Sequence, residues 1–521
     1  MKKTLTLILT SIGLFVLAML ITAHPTRPAI AAEPTPTPPI IAVTSPSDNP
    51  FNMLCHTAPT LCRDAVRLTP VAITDNSSTP TIIFANPSVD ARAVPTYTLV
   101  SATFNQDMDP STINSSTFFV SQGITPLVGS VSYITISKAA VFYPVVPLAL
   151  NSPYTATVTT GAQNLSGEPL AEDVVWTFTT TDGTSPLSDG MDIYFGDLHN
   201  HSSYSDGQGN PADAFATARA NGLDFFALTD HSNQLTAEEW QDMLDQANTA
   251  TVNGEFVGLR GFEFTHPRGH INVFDTDTYI RESHPDYNTL EEFYSWLAAQ
   301  PTAIGQFNHP VKTEELNWNF DDFVYNASAD EKMCLRETPG YPANQYLLSL
   351  DAGWHVGTLG NSDTHQANWG SWRFMGLVAS SLTEDAVLEA LRARRTFFVY
   401  DRNFAVVMQA NGHWMGSVIS NTTTIDFTIT AYDPDPTDPI LALVLYDNGI
   451  PMTATTPLSN PVLYTWTPSI AGSPGHFYYV KVYHDVDSRS LPAYTSPIWT
   501  DTPEASKNIH FPIIMRGYAS N

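Results

Sequence analysis

The 521-residue chain carries 23 Lys and Arg against 52 Asp and Glu, a formal net charge of -29. That excess of negative charge repels nucleic acid and anionic lipid, which excludes DNA and RNA as partners; a phosphate monoester stays open, because a bound cation can reverse the local field. The length outgrows one core and predicts about three domains, and three cysteines with no CxxC pair exclude a thiolate zinc knuckle.

Residues 1–32 begin with Lys2 and Lys3, continue through an apolar run of about 17 residues and end in Ala29-Ile30-Ala31-Ala32. This is the pattern of a signal peptide, and left uncleaved the same run is an N-terminal membrane anchor. No cysteine stands beside the cleavage site to take a lipid, and no later segment is apolar for long enough to span a bilayer. Residues 33–80, which include EPTPTPPI, read as a Pro-rich linker. Cys55 and Cys62 are close enough for a small disulfide loop in an oxidising compartment, which leaves Cys334 unpaired and buried.

From 81 to 181 the pattern changes to short runs rich in Thr, Val, Tyr and Phe, separated by turn residues. This predicts a β-sandwich. The stretches TFNQDMDPSTI, LNSPYTATV and the closing WTFTT resemble the bacterial Ig-like domains of surface-layer and exported proteins. The resemblance implies a spacer or adhesive module and association with a cell surface or wall. Asp107 and Asp109 read as solvated turn residues in preference to calcium ligands.

Residues 191–403 hold the chemistry. A strand over 193–198 delivers His199 and His201, two residues apart and therefore on the same side. Asp206 follows in a Ser/Gly-rich loop, 211–221 reads as a helix, and the apolar strand 223–228 ends in Asp230-His231. Glu263 in RGFEFTH, His270 in RGHINVF, His309 in FNHP, and Asp363 with His365 in GNSDTH each sit beside an apolar strand-like run. Helix-like stretches at 237–249, 290–299 and 384–394 alternate with these strands, which argues α/β. Imidazole and carboxylate without thiolate suit Zn, Mn or Fe.

This ordered series resembles the polymerase and histidinol phosphatase (PHP) family of metal-dependent hydrolases, over 192–403. The ending LTEDAVLEALRARRTFFVYDRN is similar to the last helix and strand of secreted members, a branch that includes carbaryl-hydrolase-like enzymes. The resemblance implies a distorted (β/α)7 barrel with two or three divalent ions at the carboxyl ends of its strands. His199, His201 and Asp363 would hold one ion, with Glu263 bridging to a second held by His270 and His309. Asp206, His231 and His365 would form a third site or act as catalytic acid and base. A hydroxide bridging the ions would attack phosphorus or a carbonyl carbon.

Arg268, Lys312 and Arg373 stand near these motifs, but each reads as a surface or helix-covering charge before a phosphate ligand. His266, His284 and His355 read as core or surface histidines. Segment 282–350 carries His309 as its one ligand motif and is a candidate substrate lid. Residues 404–500 return to alternating strands and predict a second β-sandwich, and 501–521 form a tail.

The expectation is a multidomain chain, a distorted (β/α)7 barrel flanked by two all-β sandwich domains. Its expected function is that of an exported metal-dependent hydrolase of a small-molecule ester, foremost a phosphoester. Hydrolysis of a carbamate, amide or carboxylic ester on the same site is the second reading, and a non-catalytic surface protein with a structural metal site is the third. Metal identity, natural substrate and oligomeric state are not fixed by the sequence.

Overall fold

The computed structural model describes residues 79–187, 189–312, 317–338, 345–371, 373–420, 422–435, 437–459, 461–486 and 489–501. The signal segment, most of the Pro-rich linker, the Cys55 and Cys62 pair and the tail beyond 501 lie outside the described residues. Among those described, no helix is long and apolar enough to cross a membrane.

The first domain is two facing sheets. One runs Ile82–Asn86, Val100–Phe104, Ala139–Pro144, Gly129–Ile134, and the other Ala91–Val94, Val174–Thr180, Pro153–Val158, Phe118–Gln122, Thr125–Pro126. Alternation puts Tyr154, Ala156 and Val158 inward on one strand, and Trp176 and Phe178 inward on its neighbour. They meet Phe104, Phe118 and Phe142 in one core. Asp109 caps the turn Pro110–Thr112, its Oδ1 accepting from Ser111 N at 2.9 Å, in line with a turn role. The domain is tied to the next by Asn86, whose Nδ2 donates to Leu99 O at 2.9 Å and Ala220 O at 3.1 Å.

The central unit contains strands β1 (Asp192–Asp197), β2 (Phe225–Leu228), β3 (Val257–His266), β4 (Gly269–Phe274), β5 (Ile304–Phe307), β6 (Met333–Glu337), β7 (Gly357–Leu359), β8 (Phe374–Ala379) and β9 (Thr396–Val399). Its longer helices are α1 (Pro211–Ala220), α2 (Ala237–Ala250), α3 (Leu290–Ala299), α4 (Gln345–Asp351) and α5 (Glu384–Arg392). Helix starts follow the sequence: Asn210 caps α1 ahead of Pro211, Thr236 with Glu239 and Thr289 with Glu292 form capping boxes on α2 and α3, and Thr383 caps α5.

The strands hydrogen-bond in the order β7-β6-β5-β4-β3-β2-β1-β8-β9. The sheet curls until β7 meets β9 through side chains, Thr396 Oγ1 donating to Thr358 O at 2.8 Å. Inside the curl, Phe225, Ala227, Val257, Leu259, Ile304 and Leu335 form one apolar cluster with α5 packed on it. The polar ligand-type residues gather away from that cluster, past the ends of β1, β2 and β7.

The multidomain character is as expected, but the described residues are mostly strand with few helices, and the central elements are not seven successive βα units. β3 runs straight into β4 through Pro267 and Arg268, a link too short for a helical crossover, so the two pair antiparallel. β8 pairs antiparallel with both β1 and β9. The C-terminal strands also differ from a free-standing sandwich. Ala405–Ala410, Thr424–Tyr432 and Leu463–Trp466 form one sheet, whereas Arg489–Thr495 pairs with β9 and carries Phe477–Val486, Ile440–Asp447 and Ile450–Thr455 onward in the central sheet. Left alone, β9 would expose an unpaired edge, and this continuation covers it.

Candidate metal centre

Beyond β1 the chain presents His199 and His201, both fully buried, with their Nε2 atoms 3.3 Å apart. The segment 363–365 is laid against them by backbone bonds, Asp363 N to His199 O at 2.9 Å and His201 N to Thr364 O at 3.0 Å. This brings Asp363 Oδ1 to 3.2 Å from Nε2 of both histidines. Asp363 holds φ at 50° and His309 at 26°, left-handed values that are costly outside glycine and are kept here by the surrounding bonds.

Glu263, on β3 and 1% exposed, is the hub. Its Oε1 lies 3.1 Å from His270 Nδ1, 3.2 Å from His199 Nε2 and 3.4 Å from His309 Nε2. Its Oε2 lies 2.8 Å from His231 Nδ1 and 3.6 Å from His201 Nε2. A buried carboxylate facing five imidazoles is an arrangement that needs positive charge. At the outer edge, Asp206 Oδ1 stands 3.2 Å from His365 Nε2 and 3.6 Å from His231 Nε2. The Asp206 loop packs so closely on His201 that a Cβ on Gly207 would fall 2.7 Å from the His201 carbonyl.

All nine sequence-predicted residues therefore come together. Their donor atoms form four overlapping groups, each within 4.8 Å: His199, His201, Asp363; His199, Glu263, His309; His231, Glu263, His270; and His201, Asp206, His231, His365. The partition differs from the implied one: His270 and His309 fall into different groups on Glu263, His199 is shared with the His309 group, His231 with the His270 group, and His201 joins Asp206, His231 and His365.

Burial disfavours charge on His199, yet the Asp363, Glu263 and Glu337 carboxylates outweigh it and hold the imidazole well above its ordinary value. The same competition raises His309 and His365 to about 9, through Glu263 and Asp363 for the first and Asp206 for the second. Burial wins at His201, which repulsion from His231 helps lower to about 4. The buried Glu263 and the half-buried Asp363 are held well below the usual carboxylate range by the charge of His199 and its neighbours. Carboxylates held down by the imidazoles they face, and imidazoles held up by the same carboxylates, are the mutual shifts of a tightly coupled cluster, a mark of candidate functional sites.

Sequence reasoning missed Glu337. It closes β6, and its Oε1 accepts from His199 Nδ1 at 2.8 Å and Asn361 Nδ2 at 3.0 Å, while Oε2 accepts from His309 N at 2.6 Å. The signal was a carboxylate ending the apolar run MCLRE, the same kind of signal that singled out Glu263. Asn308, whose Nδ2 donates to Glu263 Oε1 at 2.8 Å, also went unread, as did Asp230, which accepts from Ser202 N and Ser205 Oγ at 2.8 and 2.6 Å.

Arg268 and Lys312 are ion-paired with Asp321 and Asp322, and Arg373 directly precedes β8. Trp318, in the short pairing Val311–Lys312 with Asn317–Trp318, sets its ring 5.0 Å from His270 and 5.7 Å from His309. His266, His284 and His355 make local bonds to Asn288 O, Asp286 N and Asp330 instead. A cavity of about 340 Å3 between the first domain and the central unit, lined by Tyr97, Tyr194, Asp224 and Arg402 among others, contains none of the nine.

Residues 76–180 match the family model of the bacterial Ig-like domain, and residues 197–317 match that of the PHP domain. No curated protein matches the chain. Among solved structures, a two-domain protein from Bacteroides vulgatus, described as containing a predicted PHP-like metal-dependent phosphoesterase, is 19% identical over 60% of this chain and 97% of its own, with a TM-score of 0.36. An amidohydrolase from Chromobacterium violaceum is 14% identical over 33% of this chain and 87% of its own, at a TM-score of 0.20. The N-terminal part of the bacterial S-layer protein SbsC is 19% identical over 23% of this chain and 28% of its own, at 0.17. With TM-scores this low, the reading of the site rests on its own residues.

Proposed function

We propose that this chain, a bacterial Ig-like domain followed by a PHP domain, is an exported metal-dependent hydrolase that cleaves a phosphoester on a PHP-type distorted barrel. The observation that carries the reading is Asp363 Oδ1, which is buried and makes no hydrogen bond while two imidazole nitrogens face it at 3.2 Å. An unsatisfied carboxylate oxygen between two ring nitrogens fits a divalent cation that completes all three. Six imidazoles and three carboxylates also exceed the four ligands that one structural ion needs, which speaks for more than one ion and for catalysis.

His199, His201 and Asp363 would hold one ion, Glu263 would bridge, and His270 and His309 would flank it on the far side. Bound divalent ions supply a water acidified to near neutrality and polarise the ester oxygen. The chain's own residues do the rest. Glu263 fixes the spacing of the imidazoles, Glu337 and Asn308 fix the orientation of His199 and Glu263, and buried walls limit competing water. His365 and Asp206, 3.2 Å apart at the exposed edge, hold a proton that can pass to a leaving group. His231 completes that group, as a third-site ligand or as its proton partner.

Hydrolysis of a carbamate, amide or carboxylic ester is the second reading, and one observation favours it. Arg268 and Lys312 are engaged by Asp321 and Asp322, while the aromatic Trp318 stands on two ligand histidines. The test is metal content together with turnover of phosphomonoesters, phosphodiesters and aryl esters by wild type, His199→Ala and Asp363→Ala. Two or three ions per chain and phosphoester turnover lost in both variants are expected. Carbonyl-ester turnover alone would establish the second reading, and absence of metal and of any activity above the variants would leave a surface module.

A further inference from the structure

The strand register sets three polar residues in one row beside the metal centre. Glu263 on β3 pairs with Asn272 on β4, and Asn272 pairs with Gln306 on β5. Residues paired across neighbouring strands project to the same face of the sheet, so the row lies on the face that Glu263 presents to the imidazoles. Gln306 is the one polar residue of its strand, IGQF. It is fully buried, as are Asn272 and Asn308, the residue just past β5.

These amides form a continuous chain of hydrogen bonds. Gln306 Nε2 donates to Asn308 Oδ1 at 2.9 Å and to Glu337 Oε1 at 3.3 Å. Asn308 Nδ2 donates in turn to Glu263 Oε1 and Asn272 Oδ1, both at 2.8 Å, and Asn272 Nδ2 donates to Leu198 O, one residue before His199, at 3.1 Å. Gln306 thus stands between the carboxylate at the hub of the centre and the carboxylate that orients His199. An ionised carboxylate only accepts, which turns the nitrogens of Asn308 and Gln306 toward Glu263 and Glu337. Gln306 Oε1 is left buried without a hydrogen bond. An unpartnered buried acceptor costs stability, and a hydrocarbon side chain of similar volume would avoid that cost. What the amide contributes at this position is its donor end.

We infer that Gln306 is a positioning residue of the metal centre, which holds Glu337 directly and Glu263 through Asn308 at one fixed spacing. The inference rests on the reading of the nine residues as a metal centre and deepens it. Without Gln306, Glu337 keeps the His199, Asn361 and His309 donors, whereas Asn308 Oδ1 loses the Gln306 donor. The freedom gained therefore falls on Asn308 and passes to Glu263. Loss of a hydrogen-bond partner behind a metal ligand typically lowers metal affinity by about 10- to 100-fold.

The test is zinc titration of the metal-free full chain, with the Tm of the metal-free protein recorded alongside. Gln306→Met, close to glutamine in volume, should bind as many zinc ions as wild type with about 10- to 100-fold lower affinity. Gln306→Asn keeps the amide but withdraws it by one methylene; it should also lose affinity, and it decides the matter if the methionine variant does not fold. Gln306→Met combined with Asn308→Ala should lose less than the product of the two single losses, because both act on one chain of bonds. Wild-type zinc affinity in the Gln306 variants, with or without a lower metal-free Tm, would overturn the inference and leave a packing role. Fully multiplicative losses in the double variant would also overturn it, and a wild type that takes up no zinc would remove it together with the metal centre. The hydrolase reading fails separately, by a wild type that binds zinc with the expected dependence on Gln306 and turns over no ester.

Discussion

His199 donates through Nδ1 to Glu337 Oε1 over 2.8 Å, while its Nε2 faces the Glu263 and Asp363 carboxylates at 3.2 Å. One ring nitrogen is thereby committed to orientation and the other left to bind. A carboxylate behind a ligand histidine fixes its tautomer and raises its basicity. Glu337→Gln should weaken metal binding by about 10- to 100-fold, with activity returning when metal is added in excess. Titration of the metal-free variant checks this; an unchanged affinity would reduce Glu337 to a packing role.

Asp230 accepts from Ser202 N, Ser202 Oγ and Ser205 Oγ at 2.8, 2.9 and 2.6 Å, and so fastens the loop that carries Asp206. Removing the carboxylate leaves those buried donors unpaired, at about 1–3 kcal/mol for each group left unsatisfied. Asp230→Ala should lower Tm and release the ion nearest Asp206, His231 and His365 while the ions on Glu263 stay. Metal analysis per chain reads this directly, and loss of every ion at once would show that the groups do not fill independently.

Much of this was legible because the ligand motifs sit at strand ends, where alternation and burial leave a strong trace. His199 and His201 announce themselves by spacing, and Glu263 by its place in an apolar strand. Glu337 was not read because its motif holds one carboxylate and no histidine, and the imidazole it orients, His199, is 138 residues away. The helix starts at Pro211, Thr236 and Thr289 follow from local capping chemistry. The joining of Arg489–Thr495 to β9 depends on an edge pairing between distant strands, which no local pattern encodes.

In the metal-free protein, His309 and His365 are raised to about 9 by the carboxylates they face. A histidine raised in the folded state contributes stability that is complete below its unfolded value of about 6.5 and is lost as pH climbs through the folded one. The Tm of the chelated protein should therefore fall between about pH 6.5 and 9, and His309→Ala should flatten that fall. Metal binding needs the same nitrogens deprotonated, so affinity should rise over the same interval. Calorimetry across the range decides the matter: a chelated Tm that climbs with pH would contradict the charge assignment of these imidazoles.

Trp318 sets its ring against two of the candidate ligand histidines, at 5.0 Å from His270 and 5.7 Å from His309. Its position gives it two separable roles, as a wall for substrate and as a support for the ligands. An aromatic contact is worth about 0.5–1.5 kcal/mol beyond burial, and about 1.4 kcal/mol is tenfold in affinity. If the ring meets substrate, Trp318→Ala should raise KM by about two- to tenfold for aryl esters and leave alkyl esters near wild type, with the metal count intact. If it only supports His270 and His309, metal affinity should drop and kcat should fall equally for both substrate classes. Steady-state kinetics on matched aryl and alkyl pairs, run on metal-saturated protein, separate the two, and the first outcome is expected because Arg268 and Lys312 are already engaged by Asp321 and Asp322.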